Sequence, residues 1–333
     1  MSERNVNIDV IKICACLGVC TLHMYVKHLI IDSTFRLEYV LFYASTIAMP
    51  LFFMVNGFLL LGKERSSQYY FKRIINIIKI VFLINCIYFV GTWLLYGKIV
   101  VNPFTETILN LFYQEGLFRI FWFFGSLICI YILMSLIPYQ CLSTKVMVAA
   151  IISLTLISLF ANISNILTRS ESERIFESYI PQTFRLYNHL NYFLIGGVLS
   201  RQTRYNLSHI PVKYVYFAIL SVVVCTISAT LKCYTLYEVT WVPYLHSSIV
   251  TTFGAFSAFL LLMQIDVAES HKKILSTLGD EVIIVYILHM VVLHFVPINI
   301  VPSIIYLPCF WIICFTAGYL LNRVKIIRVF LKI

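Results

Sequence analysis

Three ionisable side chains, Asp9, Lys12 and His23, stand in the apolar stretch from Asn7 to His28. Each is expensive in hydrocarbon, so each must face protein, water or the membrane interface. At about 100° per residue, the eleven steps from Lys12 to His23 return within about 20° of the same helix face and climb roughly 16 Å. One face of the first helix therefore offers a cation near one membrane surface and a titratable imidazole deeper in or nearer the other. Asp9 and Lys12 are i,i+3 neighbours and can pair; a lysine at this depth can also snorkel. His23 is too short to snorkel. An imidazole titrates near neutral pH and takes up a hydroxyl proton, so general base is the chemistry that suits it. A neutral histidine hydrogen-bonded to another helix is the plainer alternative.

Further polar residues interrupt later apolar runs. Tyr286 and His289 are i,i+3 and share one face near mid-membrane. Asn56 places an amide in the run Met49 to Leu60, where Pro50 and Gly57 loosen the helix or permit close packing. Lys72 and Arg73 close a basic loop that also holds Lys63 and Arg65. Such a loop is expected on topological grounds alone, yet paired cations at a helix start also suit the phosphates of a soluble ligand. Arg119 and Trp122 begin another span. They read as an interfacial cation and belt residue, and would equally suit a sugar site, since tryptophan stacks on sugar faces.

Composition assigns the class. Apolar residues make up 60%, charged residues 12%, and the mean hydropathy is +0.88. A soluble domain would carry about twice that charged fraction. Ten apolar spans are readable, at roughly 8–31, 38–62, 74–96, 119–139, 146–166, 183–200, 213–231, 243–264, 280–297 and 301–322. Most approach the roughly 20 residues needed to cross the bilayer. The expected fold is an all-α polytopic membrane protein of about ten transmembrane helices, forming one domain over residues 1–333. With the N-terminus inside, the inner segments hold 15 Lys and Arg and the outer loops 8, which places both termini in the cytoplasm. The net charge of +10 is then mainly a topology signal; its cations are dispersed, which speaks against nucleic acid and is compatible with anionic membrane lipid. No cleavage signature follows the first span, so no signal peptide is expected. Eight of the ten cysteines fall inside spans, with no CxxC pair and no Cys/His metal spacing, so neither disulfides nor a metal are expected.

Taken in order, these residues resemble the acyltransferase-3 family of integral membrane acyltransferases, which modify bacterial surface glycans and related acceptors. That family opens with Asp-x-x-Arg and a histidine eleven residues after the arginine. Asp9, Lys12 and His23 keep the spacing, with lysine in place of arginine. Its second helix reads like PxFFxxSGF; here Pro50 to Phe58 matches, with Asn56 in place of serine. The basic stretch matches at Lys72-Arg73, although the second arginine of RxxR is Asn76. Trp122-Phe123 and Tyr131 match a Trp-Phe pair before a tyrosine-rich helix, and Gly279, Tyr286 and His289 match a late Gly/Tyr/His pattern. The resemblance runs from about residue 4 to 322.

It implies an O-acyltransferase of the bacterial cytoplasmic membrane. The acyl donor would be acyl-CoA, usually acetyl-CoA, with no metal. The acceptor would be a hydroxyl of a surface polysaccharide or its lipid-linked precursor, with polysaccharide-biosynthesis proteins as further partners. In those terms His23 is the base of a direct transfer or carries the acyl group transiently, Asp9 holds Lys12, and Lys12, Lys72 and Arg73, near Asn56, meet the donor phosphates. Tyr286 and His289 orient the acceptor or stabilise charge on the carbonyl. Trp122 and Arg119 meet the sugar. The competing expectation is a transporter or flippase, since permeation pathways also use intramembrane charge and Gly/Pro-broken helices. Its candidate breaks are Pro50/Gly57 and Gly196/Gly197. A sensor, or the membrane half of a split enzyme, is a third.

Overall fold

The computed structural model describes residues 4–29, 37–97, 102–116, 118–171, 176–202, 212–232, 248–295 and 303–324. Among them there is no β-strand. The α-helices are α1 (Val6–Leu29), α2 (Leu37–Ala44), α3 (Ala48–Leu61), α4 (Ser67–Tyr96), α5 (Pro103–Ile108), α6 (Trp122–Leu136), α7 (Thr144–Glu171), α8 (Leu186–Gln202), α9 (Val212–Leu231), α10 (Ile249–Met263), α11 (Glu269–Phe295) and α12 (Ser303–Asn322). Seven helical segments among the described residues are long and apolar enough to cross a membrane; the one at Val40–Leu61 joins α2 and α3 through a 3-10 turn. α10 and the Tyr306–Asn322 part of α12 are apolar but shorter.

Local chemistry sets the ends of these elements. Ser66 Oγ accepts from the Tyr69 amide at the start of α4, satisfying one of the donors a helix start leaves open. Gly97 ends the same helix in the left-handed region, φ +65°, returning its N–H to Trp93 O at 2.8 Å. Asn102 caps α5, and Pro103 occupies its first turn. A π-helical turn, Leu109–Tyr113, follows α5 and packs on α6, where a Cβ at Gly125 would lie 2.0 Å from Leu111 O. No apolar period announces this short segment.

The tightest crossing joins α3 to α8. A Cβ on Gly57 would stand 1.7 Å from Phe193 O, and one on Gly196 would stand 1.9 Å from Met54 O. Without lipid-versus-water hydrophobicity to drive association, close backbone packing at small residues carries much of it. Both helices run unbroken through these glycines. Pro50 sits in the first turn of α3, where a missing N–H does no harm. Neither helix is broken at these residues; the interruption in the second span is the 3-10 turn Ser45–Ile47, just before α3.

Helix directions follow from end contacts. Asn7 Nδ2 donates to Leu262, Met263 and Ile265 carbonyls at 2.8–3.1 Å, so the start of α1 meets the end of α10. Asp9 packs on Gly279 while His23 meets His289, so α1 and α11 run parallel. Gly318 of α12 packs on Val285, and α12 then descends toward the end from which α1 starts. The described chain thus begins and ends at the same end of the bundle. Ser67 Oγ donates to Ser135 O, and Arg201 Nε to Leu61 O, at that end too. Replacing Gly196 by Ala forces the α3–α8 backbones apart; we expect a loss of about 1–3 kcal/mol, read as a lower unfolding midpoint of the detergent-solubilised protein.

Candidate active site

Asp9 is 1% exposed, and both its oxygens are taken. Arg4 Nε donates to Oδ2 at 2.6 Å and Lys12 Nζ to Oδ1 at 3.0 Å. The same guanidinium reaches both Asp280 oxygens, at 2.8 and 3.1 Å, and Ser276 O at 2.8 Å. Hydrogen bonds to Asp9 and then to Asp280 raise the Arg4 pKa above the usual arginine value, so the guanidinium stays charged. Glycine is required opposite, because a Cβ at Gly279 would lie 2.6 Å from Asp9 Oδ1 and Cβ. The clamp joins the start of α1 to α11 and holds Lys12 by its carboxylate.

Lys12 opens onto a cavity of about 310 Å³ between α1, α3, α4, α6 and α11. Arg73, Asn56, Tyr131 and Tyr286 line it together with Phe123 and Phe124. Asn56 is held by its neighbours: Nδ2 donates to Phe52 O at 2.9 Å, and Oδ1 accepts from Tyr131 at 3.0 Å. Arg73 and Arg65 lie over the Tyr69 ring, with Cζ 5.0 and 4.5 Å from its centroid. The Nε of each is buried without a hydrogen-bond partner. Two guanidiniums and an ammonium thus make this end of the site cationic, with Arg73 and Lys12 lining the cavity and Arg65 beside Tyr69. Lys72, expected beside Arg73, is exposed on α4 and does not line the cavity.

Tyr286 forms the wall between the cavity and the histidines. It lines the cavity, its hydroxyl donates to Ile120 O at 2.6 Å, and its ring lies 5.8 Å from that of His289. His289 is fully buried; His23 is half-buried, and their ring centroids are 5.1 Å apart. Arg119 is exposed just before α6. The structure therefore gathers Lys12, with Asp9 behind it, Arg73, Asn56 and Tyr286 on the cavity, and brings His23 and His289 together beyond Tyr286, where neither lines the cavity.

Trp122 is 6% exposed, which takes it out of the interfacial belt and leaves its ring little free face for a sugar. It packs against His189, centroids 5.3 Å apart, and His189 stacks on Phe53 at 4.7 Å. His189 Nε2 donates to Gln182 O at 2.8 Å. Nearby, Glu177 accepts from Asn165 at 2.6 Å and from Tyr187, while Arg185 donates to the Glu177 and Ile180 carbonyls. This cluster braces the connection into α8 and was not singled out from the sequence. The polar run Asn188, His189, Asn191 inside an apolar span is the signal that marks it. Arg4 and Arg65 carried no such signal, being ordinary loop cations until folding gives them partners. Among the described residues, no group of three or more His, Cys, Asp or Glu is placed to hold a metal.

A family model for an acyltransferase domain, that of the acyltransferase-3 family, matches residues 5–324. The chain belongs to that family. No curated protein and no solved structure matches it. Membership makes it a membrane acyltransferase, and it gives the clamp and the cavity a reaction to serve. A Gly279→Ala change should displace Asp9 from Lys12. We expect a several-fold rise in the donor concentration needed for half-maximal acyl transfer, at unchanged protein level, measured in membrane vesicles.

Proposed function

We propose that this acyltransferase takes an acyl group, acetyl in the simplest case, from acyl-CoA. It delivers that group to a hydroxyl of a bacterial surface polysaccharide or its lipid-linked precursor. The observation that carries this reading is the polar division of the site: a cavity lined by Lys12 and Arg73 on one side of Tyr286, and a histidine pair on the other. The cationic end lies where α1 starts and α12 ends, the end that the Lys and Arg distribution assigns to the cytoplasm.

Acyl-CoA carries its negative charge on phosphates and its reactive thioester at the end of a long arm. At about 310 Å³ the cavity is near the lower bound for ligand sites, room for an arm and a small acyl group. Arg65, Arg73 and Lys12 would meet the phosphates at its mouth. His23, half-buried and without a hydrogen-bond partner among the described residues, would meet the acceptor. It would take the proton of the acceptor hydroxyl as the oxygen attacks the thioester carbonyl. The C–O bond forms, the C–S bond breaks, and the proton passes from His23 to the departing thiolate. Arg119 adds positive charge beside the acceptor end, which suits an acidic or phosphate-linked glycan. The protein would lie in the bacterial cytoplasmic membrane beside polysaccharide-biosynthesis partners.

His23→Ala should reduce acylation by about 100-fold or more while leaving membrane levels intact; the measurement is mass spectrometry of surface glycans, following the loss of an acetyl-sized increment. Near-normal acylation would remove His23 from the reaction. Arg73→Gln should raise the apparent KM for acetyl-CoA about tenfold, and Lys72→Gln should leave it within about twofold, in the same vesicle assay. Equal effects of the two changes would move the phosphate site out of the cavity. Solute uptake by proteoliposomes without any acyl donor would favour the transporter.

A further inference from the structure

The second histidine has a geometry that its partner lacks. His289 Nδ1 lies 2.7 Å from Tyr286 O. A carbonyl oxygen only accepts, so Nδ1 carries the ring proton and Nε2 is left with a bare lone pair. That Nε2 is buried and has no hydrogen-bond partner. The nearby Tyr286 hydroxyl, an obvious donor, is already committed to Ile120 O at 2.6 Å. His23 stands next to this lone pair, ring to ring at 5.1 Å and tilted by 42°. Imidazole nitrogens sit about 1.1 Å from the ring centre, so an N–H···N bond of about 2.9 Å needs nearly this centroid separation. The two rings do not share that bond here, and His23 is free to turn onto it, having no other partner among the described residues.

We propose that His289 is the positioning residue of the site: its Nε2 accepts a hydrogen bond from one ring nitrogen of His23 and so leaves the other His23 nitrogen as the base. The proposal rests on the reading of His23 as base. It gives His289 a task that neither touches the acceptor nor polarises the carbonyl. The chain of bonds runs from Tyr286 O to His289 Nδ1–H, and from His289 Nε2 to the near N–H of His23. The far nitrogen of His23 then has its lone pair turned outward. When that nitrogen takes the acceptor proton, His23 becomes an imidazolium whose near N–H still points at a neutral acceptor. His289 never gains or loses a proton. It fixes a tautomer, as the third group does wherever a base must be oriented. A carboxylate in its place would be a charge in a fully buried position; a neutral imidazole does the same orienting at lower desolvation cost.

The test compares wild type with His289→Gln, His289→Asn and His289→Leu. A glutamine amide reaches the Nε2 position and accepts there; an asparagine amide stops near Nδ1; leucine offers nothing. One reading is the rate at which diethylpyrocarbonate carbethoxylates His23, followed by mass spectrometry at about pH 8, where a free imidazole is neutral. The other is CoA release from acetyl-CoA by vesicles that contain the native acceptor. We expect Asn and Leu to slow His23 modification about threefold or more, and to lower kcat about 100-fold with KM for acetyl-CoA within about twofold. Gln should stay within about threefold of wild type in both readings. Unchanged His23 reactivity in the Asn and Leu variants would overturn the pairing. A Gln variant as impaired as Leu would also overturn it, by showing that the imidazole at 289 is needed for its own proton chemistry. The His23 modification needs neither donor nor acceptor. A wild-type protein that releases no CoA would therefore sink the acyl-transfer reading while the pairing is still judged on its own.

Discussion

The buried carboxylate of Asp9 is the constraint on which the site depends. An ionised group in hydrocarbon has to be paired, and here the pairing is done by Lys12 of the same helix and by Arg4 just before it. Arg4 ties Asp9 to Asp280, so α1 and α11 are fixed to each other at one end. Gly279 lets them approach. Two parallel helices pinned at one end keep register along their length, and Cys16 meets Val282 O further along. From there, ten residues of α11 beyond Gly279 rise about 15 Å, and fourteen residues of α1 beyond Asp9 rise about 21 Å. Side-chain reach and helix tilt absorb the difference, and the two histidines arrive face to face. The distance between His23 and His289 is thus a consequence of where Asp9 is held.

A second constraint is the glycine seam between α3 and α8. Backbones this close leave no freedom for α3 to rotate, because Gly57 and Gly196 each face a carbonyl of the opposite helix. A fixed α3 presents Asn56 toward Tyr131 and Phe53 toward His189. The cavity wall that α3 supplies is therefore rigid even though α3 is only 14 residues long. The glycines named as candidate helix breaks serve close packing here.

Much of this was legible in the chain, and the reason is periodicity. Lys12 and His23 share a face because helix geometry says so, and most of the helices observed overlap the apolar runs that length and hydropathy pick out, although α4 and α11 begin well before theirs and α5 lies outside any. What was not legible depends on contacts far apart in sequence. Arg4 and Arg65 look like any other inner-loop cation until Asp280 and Tyr69 are beside them. Lys72 and Arg73 are chemically alike and adjacent, but one step of about 100° turns one to the cavity and the other away. Trp122 carries the composition of a belt residue, yet its neighbour His189, 67 positions on, buries it. The α5 segment and its π turn are too short and too mixed to show a period at all.

The two departures from the family pattern fit this frame together. An arginine at position 12 would compete with Arg4 for the two oxygens of Asp9, since each fork prefers to engage a carboxylate with both arms. With Arg4 already taking one oxygen and bridging to Asp280, a lysine suffices for the other. An ammonium has three donors, and Asp9 uses one. Two remain for the cavity, as a compact charge that moves with its ligand more freely than a planar fork would. Asn56 extends the same logic. A serine hydroxyl there would end one atom short of the amide oxygen that now accepts from Tyr131, while the asparagine reaches it and still secures itself to Phe52 O. Tyr131 is thereby held against the cavity beside Arg73. Position 12 gains mobility and position 56 gains reach. The shape of the cationic side of the cavity is set by that pair of exchanges, and the histidine pair is left untouched.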